Sequence, residues 1–468
     1  MIVTPEAHAS PAEKTAAVET IVRQYPEIAG LQAYEYFRNP GAMQRDAFIS
    51  NEITHLELSY PHLTTEYMQR LRQPMERALG AVAFGEQTEK THALYGTLEY
   101  RYTELFMLDA ARVMNGGGLP REKQEATAWF KLANENLYGR PEQSMFNAVA
   151  ASFLVPHLLP QDNDAPATTL IRGELRELTG TVGESEQPLF LPSIELVHRI
   201  GALTRARFSG IVDHIDSDRI YDRDSTMQAV DQSLAALSAR DFGWQTIMVD
   251  NSSVLSVSAP ERQVQIGANK KPVSGRALRG TIVHEIGDHA GRSITAEAAG
   301  WLSAAYGQEG YLPFEEALGS ALQHAYNDTF TVQGEHYYMI AGLAYGLDNY
   351  TARNLRETYE VMWRVYALQH AENGVISDDA LQAARLQAFT RCKRMFRGTD
   401  GRQPGVVDLR DTSYRTGQER VWRTLERVHT QADFDPLFAG KLDNTVPEHQ
   451  EIAANILATG VLPYSSQR

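Results

Sequence analysis

Cysteine is almost absent. One residue, Cys392, occurs among 468, so no internal disulfide can staple the chain, and a reducing compartment is the simpler expectation. A lone cysteine of this kind reads as a small buried apolar side chain. Positive charge is also short: Lys and Arg number 44 against 59 Asp and Glu, a formal net charge of -15. That balance excludes general binding of nucleic acid or of an anionic membrane and leaves room only for a local basic surface. Long apolar runs are missing too. The longest, Met145 to Leu159, is broken by Asn147, Ser152, Pro156 and His157 and is too short to span a bilayer. The Ala-, Glu- and Thr-rich start has no basic stretch leading into an apolar run, so no secretory signal is expected and the chain is expected in the cytoplasm. No period of 20 to 50 residues repeats, which argues against a solenoid or propeller.

Helical spacing dominates what is present. Apolar residues recur at three and four in Tyr102-Leu105-Phe106-Ala110-Val113 and in Ala126-Trp129-Phe130-Leu132-Ala133, giving a helical N-terminal region over residues 1–160. Polar, turn-forming clusters at Gln161–Pro166 and Gly180–Pro188 mark residues 161–190 as a linker or loops. Residues 191–468 then form the remaining region. Between Trp244 and Gly267 the pattern changes to short β-branched runs, WQTIMVD, VLSVS and RQVQIG, separated by Asn251-Ser252-Ser253 and Ala259-Pro260-Glu261. Two or three short antiparallel strands are expected there. Ser274 caps a following helix that carries His284 and Glu285, helices are expected over Tyr350–Glu372 and Ser377–Phe396, and a last helix is expected near Glu419–His429. The fold class is therefore α+β, mostly helical, with a short antiparallel sheet ahead of the histidine-bearing helix.

That helix holds the chemistry. In Gly280-Thr-Ile-Val-His284-Glu285-Ile-Gly-Asp288-His289-Ala-Gly-Arg292 two imidazoles and a carboxylate beside the first have the composition of a zinc-hydrolase helix, in which the histidines hold the metal and the glutamate takes a proton from water. The spacing is one residue longer than the common HExxH. Five residues on an ideal α-helix put His284 and His289 roughly 140° apart, pointing away from each other. A π-bulge near Gly287 restores a shared face; a metal held by His284 and Asp288 is the second solution; unrelated polar residues on a half-exposed helix are the third. A third ligand is also needed. Glu297 lies about 12 Å along the same helix, too far, whereas Glu315 and Glu316 open a second helix that returns toward the first.

These residues resemble a known family. His284-Glu285-Ile286-Gly287-Asp288-His289-Ala-Gly-Arg292 is similar to the HEIGxHxxR segment of the microtubule-associated tyrosine carboxypeptidases and their bacterial QEGLA-motif relatives, described as modulating flavohemoglobin expression. Phe314-Glu315-Glu316-Ala317-Leu318-Gly319 stands where the family has T-[EQ]-E-G-L-A. Arg391 to Asp400 resembles V-F-R-G-G-D, and Leu409 to Gly417 resembles T-K-D-x-x-Y-x-x-G. In order and spacing the likeness covers residues 244–417. It implies a metallopeptidase-like catalytic region with one Zn2+ per chain on His284, His289 and Glu316, and Glu285 as general base. It further implies that basic and tyrosyl residues of the last two segments hold the substrate carboxylate and the developing oxyanion; Arg397 and Arg410 are the candidates for the carboxylate, and Tyr414 either donates to the oxyanion or is a packed loop tyrosine. The implied activity is removal of a C-terminal residue, tyrosine or another aromatic, from a peptide or protein. Two departures stand out: Glu-Ala-Leu-Gly replaces Glu-Gly-Leu-Ala, and Arg410 replaces a lysine, a planar fork in place of a point charge. Charge agrees with this reading, since Arg391–Arg423 holds nine Lys or Arg against four acids, net +5 inside an acidic chain. The competing readings are a metal-dependent hydrolase of a non-peptide substrate using Asp288, and a non-enzymatic regulatory protein that keeps the scaffold.

Overall fold

The structure is a computed structural model that describes residues 44–56, 60–83, 88–183, 188–250, 252, 254–461 and 464, together with 20, 22, 28, 30, 31 and 33–37. The N-terminal segment read for a secretory signal and the acidic stretch 184–187 lie outside the described residues. The main helices in chain order are α1 (Thr65–Ala83), α2 (Glu89–Asn115), α3 (Pro120–Tyr138), α4 (Gln143–Phe153), α5 (Pro166–Leu178), α6 (Ile194–Val212) and α7 (Arg223–Ala236). Pro at the first helical position opens both α3 and α5, where its missing N–H costs nothing. Residues 161–190, expected as linker, thus contain a full helix. Its Arg172 is buried and forks onto Asp164 at 2.6 and 3.0 Å, tying the polar Gln161–Pro166 stretch to α5.

A small sheet follows: β1 (Gln245–Val249), β2 (Leu255–Ser258) and β3 (Gln263–Gly267), with β3 in the middle. The expected antiparallel sheet is corrected here. β2 and β3 do pair antiparallel, but β1 pairs with β3 in parallel and not with β2, its neighbour in sequence, because β3 lies between the two. A separate two-residue antiparallel pair joins Ile220–Tyr221 to Val273–Ser274. Ser274 then caps α8 (Gly275–Ile282), its hydroxyl accepting from the Ala277 N–H. A π-helix, Val283–Ala290, continues α8 without a break and passes into α9 (Gly291–Ala298). The chain goes on through α10 (Leu312–Tyr326), α11 (Glu335–Tyr345), α12 (Leu355–Gln369), α13 (Asp378–Met395), α14 (Ser413–Leu425) and α15 (Pro447–Ala458). The last helix is therefore α15, and the one expected near Glu419 begins six residues earlier at Ser413. Among the described residues no helix is long and apolar enough to cross a membrane.

Two large cores sit side by side. One joins the N-terminal helices to α11, α12 and α13, for example Phe48, Leu98, Phe130 and Phe146 with Met339, Tyr359 and Phe389. The other joins α6, the sheet, α8 and the π-helix to α10 and α14, through Phe208, Val264, Ile286, Leu318 and Trp422. The first core draws on residues both before 160 and after 300, so the expected boundary at 161–190 does not separate the cores. Helix α10 serves both, with Leu312 in the first and Phe314, Ala317, Leu318 and Leu322 in the second. The candidate site lies where α10 crosses the π-helix.

Candidate metal centre

The π-helix resolves the five-residue spacing. An i to i+5 hydrogen-bond pattern widens the turn, so residues five apart return to one face. His284 Nε2 and His289 Nε2 lie 3.1 Å apart, with ring centroids at 4.8 Å. Two of the four ligands on a tetrahedral zinc with Zn–N near 2.0–2.1 Å stand about 3.3 Å apart, so the nitrogens already have close to that spacing. The packing that accommodates this turn is specific. Gly287 faces Phe208 of α6, where a Cβ would come within 2.9 Å of the ring. Gly319 of α10 faces His284, where a Cβ would lie 2.7 Å from Cδ2 and 2.8 Å from Nε2. The Glu-Ala-Leu-Gly order thus leaves room for the imidazole at the place where the chains meet.

Glu316 completes the set. Ligand atoms of His284, His289 and Glu316 all fall within 4.8 Å of one another. Each imidazole has its remaining nitrogen engaged: His284 Nδ1 is 2.9 Å from Gln323 Oε1, and His289 Nδ1 is 2.8 Å from Glu315 Oε1. An amide oxygen and a carboxylate can only accept, so both Nδ1 atoms donate and the Nε2 atoms are turned to the common point. Glu315 also meets Arg292 at 2.5 Å and Lys441 at 2.7 Å. Of the two neighbouring glutamates left open by the sequence, Glu316 faces the shared point and Glu315 orients His289.

A second group, Asp288, His289 and Glu315, also clusters closely enough to hold an ion. The guanidinium of Arg292 and the ammonium of Lys441 already occupy Glu315, and a dication placed there meets two like charges. Asp288 is fully buried with neither oxygen hydrogen-bonded, and it joins His289 and Glu315, not His284. No such group of three among the described residues contains both His284 and Asp288.

Electrostatics follow the geometry. Burial, reinforced by the neighbouring His289, pushes His284 down to about 4, which keeps its imidazole neutral. Burial lowers His289, but the Glu315 carboxylate outweighs it and lifts His289 to about 9. A bound dication would compete with a proton for His289 Nε2. Burial raises Glu285 to about 7, the range suited to exchanging a proton near neutrality. Glu316 is held below the usual carboxylate range, since Arg410 and the two histidines overcome the effect of its burial. The three donors, their spacing, their outer partners and the cleared space at Gly319 could hold one metal ion.

The basic segment is arranged differently from what its charge count suggests. Arg397 is paired with the buried carboxylates of Asp408 and Asp411, the latter at 3.1 Å. Arg394 forks onto Asp411 at 2.5 and 2.9 Å. Arg410 reaches Glu316 at 3.1 Å and Asp411 at 3.5 Å. Three guanidiniums thus converge on Asp411, and of the two arginines singled out in the sequence Arg410 touches Glu316 of the candidate trio. Tyr414 sits beside Glu316, whose negative charge, together with burial, raises the phenol above its ordinary range. Its ring lies 6.3 Å from that of Tyr337. Glu297 pairs with Arg262. Gln323 and Lys441 escaped the sequence reading. Gln323 lies seven residues past Glu316, two turns along the same face, which is a usable signal; Lys441 lies 126 residues from Glu315 and has none. No family model matches the chain, and no curated protein or solved structure matches it either.

Proposed function

We propose that the chain is a zinc-dependent carboxypeptidase that removes a C-terminal residue from a peptide or protein. The observation that carries this reading is the π-helix, which brings His284 Nε2 and His289 Nε2 to 3.1 Å beside Glu316, with Glu285 on the same turn. His284, His289 and Glu316 would hold the ion, which when bound lowers the pKa of a water toward about 7 and polarises a carbonyl oxygen. Glu285, partly exposed and raised to about 7, takes the proton of the attacking water and returns it to the leaving amine. Arg410 is the carboxylate-binding group next to the centre, and Tyr414 donates to the oxygen that gains charge. Arg397 shapes this surface through Asp411. The resemblance to the tyrosine carboxypeptidase and QEGLA-motif proteins supports the same assignment and favours an aromatic C-terminal residue. Cys392 is buried and the chain needs no disulfide, which fits the cytoplasm.

A peptide library with varied C-termini, analysed by mass spectrometry with and without a chelator, tests reaction and preference together. The wild type shortens peptides by one C-terminal residue in a chelator-sensitive way. Glu285→Gln keeps about one zinc per chain and loses turnover by at least the 10²–10⁴-fold typical of a general base. Normal cleavage by that variant would refute the assignment.

A further inference from the structure

Glu315 has a coordination of its own. Its carboxylate, 2% exposed, accepts from His289 Nδ1 at 2.8 Å, from Arg292 at 2.5 Å and from Lys441 Nζ at 2.7 Å. Lys441 is delivered from far along the chain by a segment fastened to the back of α9. Arg292 donates to the carbonyls of Gly440 at 2.7 Å and Leu442 at 2.6 Å. The Lys441 N–H donates to the Ala304 carbonyl at 2.7 Å, and the Lys441 carbonyl accepts from the Gln308 N–H at 3.1 Å. A Cβ on Gly440 would come within 2.9 Å of Ala304, so the strap lies close against the helix pair beneath it. Both sides of Lys441 are pinned, and its ammonium is paired with Glu315.

That pairing separates two overlapping metal-competent trios. His289 belongs to both, through Nε2 with His284 and Glu316, and through Nδ1 with Asp288 and Glu315. Whichever nitrogen carries the hydrogen gives up its trio. Glu315, held by Arg292 at 2.5 Å and Lys441 at 2.7 Å, is bonded to His289 Nδ1 at 2.8 Å and so leaves Nε2 facing His284 and Glu316. The other imidazole is oriented by the neutral amide of Gln323, so the two histidines are held by unequal means.

We propose that Lys441 is a positioning residue for the metal centre: together with Arg292 it locks Glu315 onto His289 Nδ1, so that a single divalent ion is taken by the His284–His289–Glu316 trio and not by Asp288 and Glu315. The inference rests on the metallopeptidase reading for its choice of trio and extends it to a residue in the C-terminal strap.

Zinc affinity of the full chain, measured by competition with a chromophoric chelator, and the visible spectrum of the cobalt-loaded protein test it without any substrate. Lys441→Met and Glu315→Gln each weaken zinc binding by the 10- to 100-fold expected on losing an outer partner of a histidine ligand, and each shifts the cobalt bands. The two act through one path, so the double variant binds zinc no more weakly than Glu315→Gln alone. Additive losses would point to a packing role for Lys441 and overturn the proposal, as would a wild-type zinc affinity in either folded variant. If Lys441→Met does not fold, Glu315→Gln, which keeps the volume and one oxygen, decides by its affinity and spectrum. A wild type that binds one zinc but cleaves no peptide sinks the carboxypeptidase reading and leaves this inference standing. A wild type that binds no zinc sinks both.

Discussion

Gly319→Ala tests how closely α10 and the π-helix are fitted. The added methyl would lie 2.7 Å from His284 Cδ2, 2.8 Å from His284 Nε2 and 3.1 Å from Asp288 Oδ2. Carbon atoms at ordinary contact stand about 3.5–4.0 Å apart, so either the imidazole or the α10 backbone has to move by close to 1 Å. The helix is the stiffer of the two, being packed in the second core through Phe314, Leu318 and Leu322, while His284 is half-buried. Overpacking of this size costs about 1–3 kcal/mol. If the imidazole yields, that cost falls on the metal-competent geometry and weakens zinc binding by about 5- to 150-fold, with the melting temperature of the metal-free protein little changed. Chelator competition and differential scanning calorimetry of the same preparations separate the two responses. Wild-type zinc affinity combined with a lowered melting temperature would show that the packing yields and His284 does not. Unchanged values of both would refute the claim that Gly319 clears space for the ligand.

Two further outcomes concern stability away from the trio. His336, whose Nε2 is buried without a partner beside Tyr337, is pushed down to about 3 by burial, with Arg391 and Arg394 adding to it and Asp411 opposing. The unfolded chain therefore takes up a proton near pH 6.5 that the folded chain refuses, and stability falls as pH drops through the window from 6.5 toward 3. Urea titrations at pH 7 and pH 5 should show wild type losing up to about 2 kcal/mol more than His336→Asn, and equal losses count against the buried neutral imidazole. Arg353 forks onto the buried Asp348 at 2.7 and 2.8 Å and donates to the carbonyls of Leu343 and Leu178, so Arg353→Met leaves an uncompensated carboxylate and costs about 3–5 kcal/mol in the same urea assay.

Local order was legible where a single side chain decides it. Ser274 caps α8 as its position suggests, and the helical spacing after Tyr350 becomes α12 and α13. The sheet was legible as strands but not as pairings, because pairing direction depends on where β1 lands relative to β3, which no local pattern encodes. The candidate trio was within reach because chemistry restricts which residue types can hold an ion. The helix geometry was not, since His284 to His289 admits both a π-helix and a dispersed arrangement, and the packing of Phe208 and Gly319 against the turn belongs to distant parts of the chain. Lys441 shows the same limit in a stronger form, since its role depends on the strap that carries it.

Charge counting met a different limit. The net +5 of Arg391–Arg423 treats each guanidinium as available, and Arg397 and Arg410 as equals. In the fold Arg397 is set between Asp408 and Asp411, both fully buried, and burial there is outweighed by the two carboxylates, which raise its pKa. Arg410 reaches Glu316 as well as Asp411, and an ion held by Glu316 would share that carboxylate's charge. The two substitutions must then separate. Arg397→Met strands buried acids and should lower unfolding free energy by about 3–5 kcal/mol, with KM for a peptide changed only as far as folding permits. Arg410→Met should raise KM for peptides with a free C-terminus at least tenfold, while amidated peptides remain poor substrates for both proteins. The discriminating measurement is therefore KM on free and amidated pairs alongside urea unfolding. An Arg397→Met protein of wild-type stability and raised KM would invert the assignment and place the substrate carboxylate on the Asp408–Asp411 side.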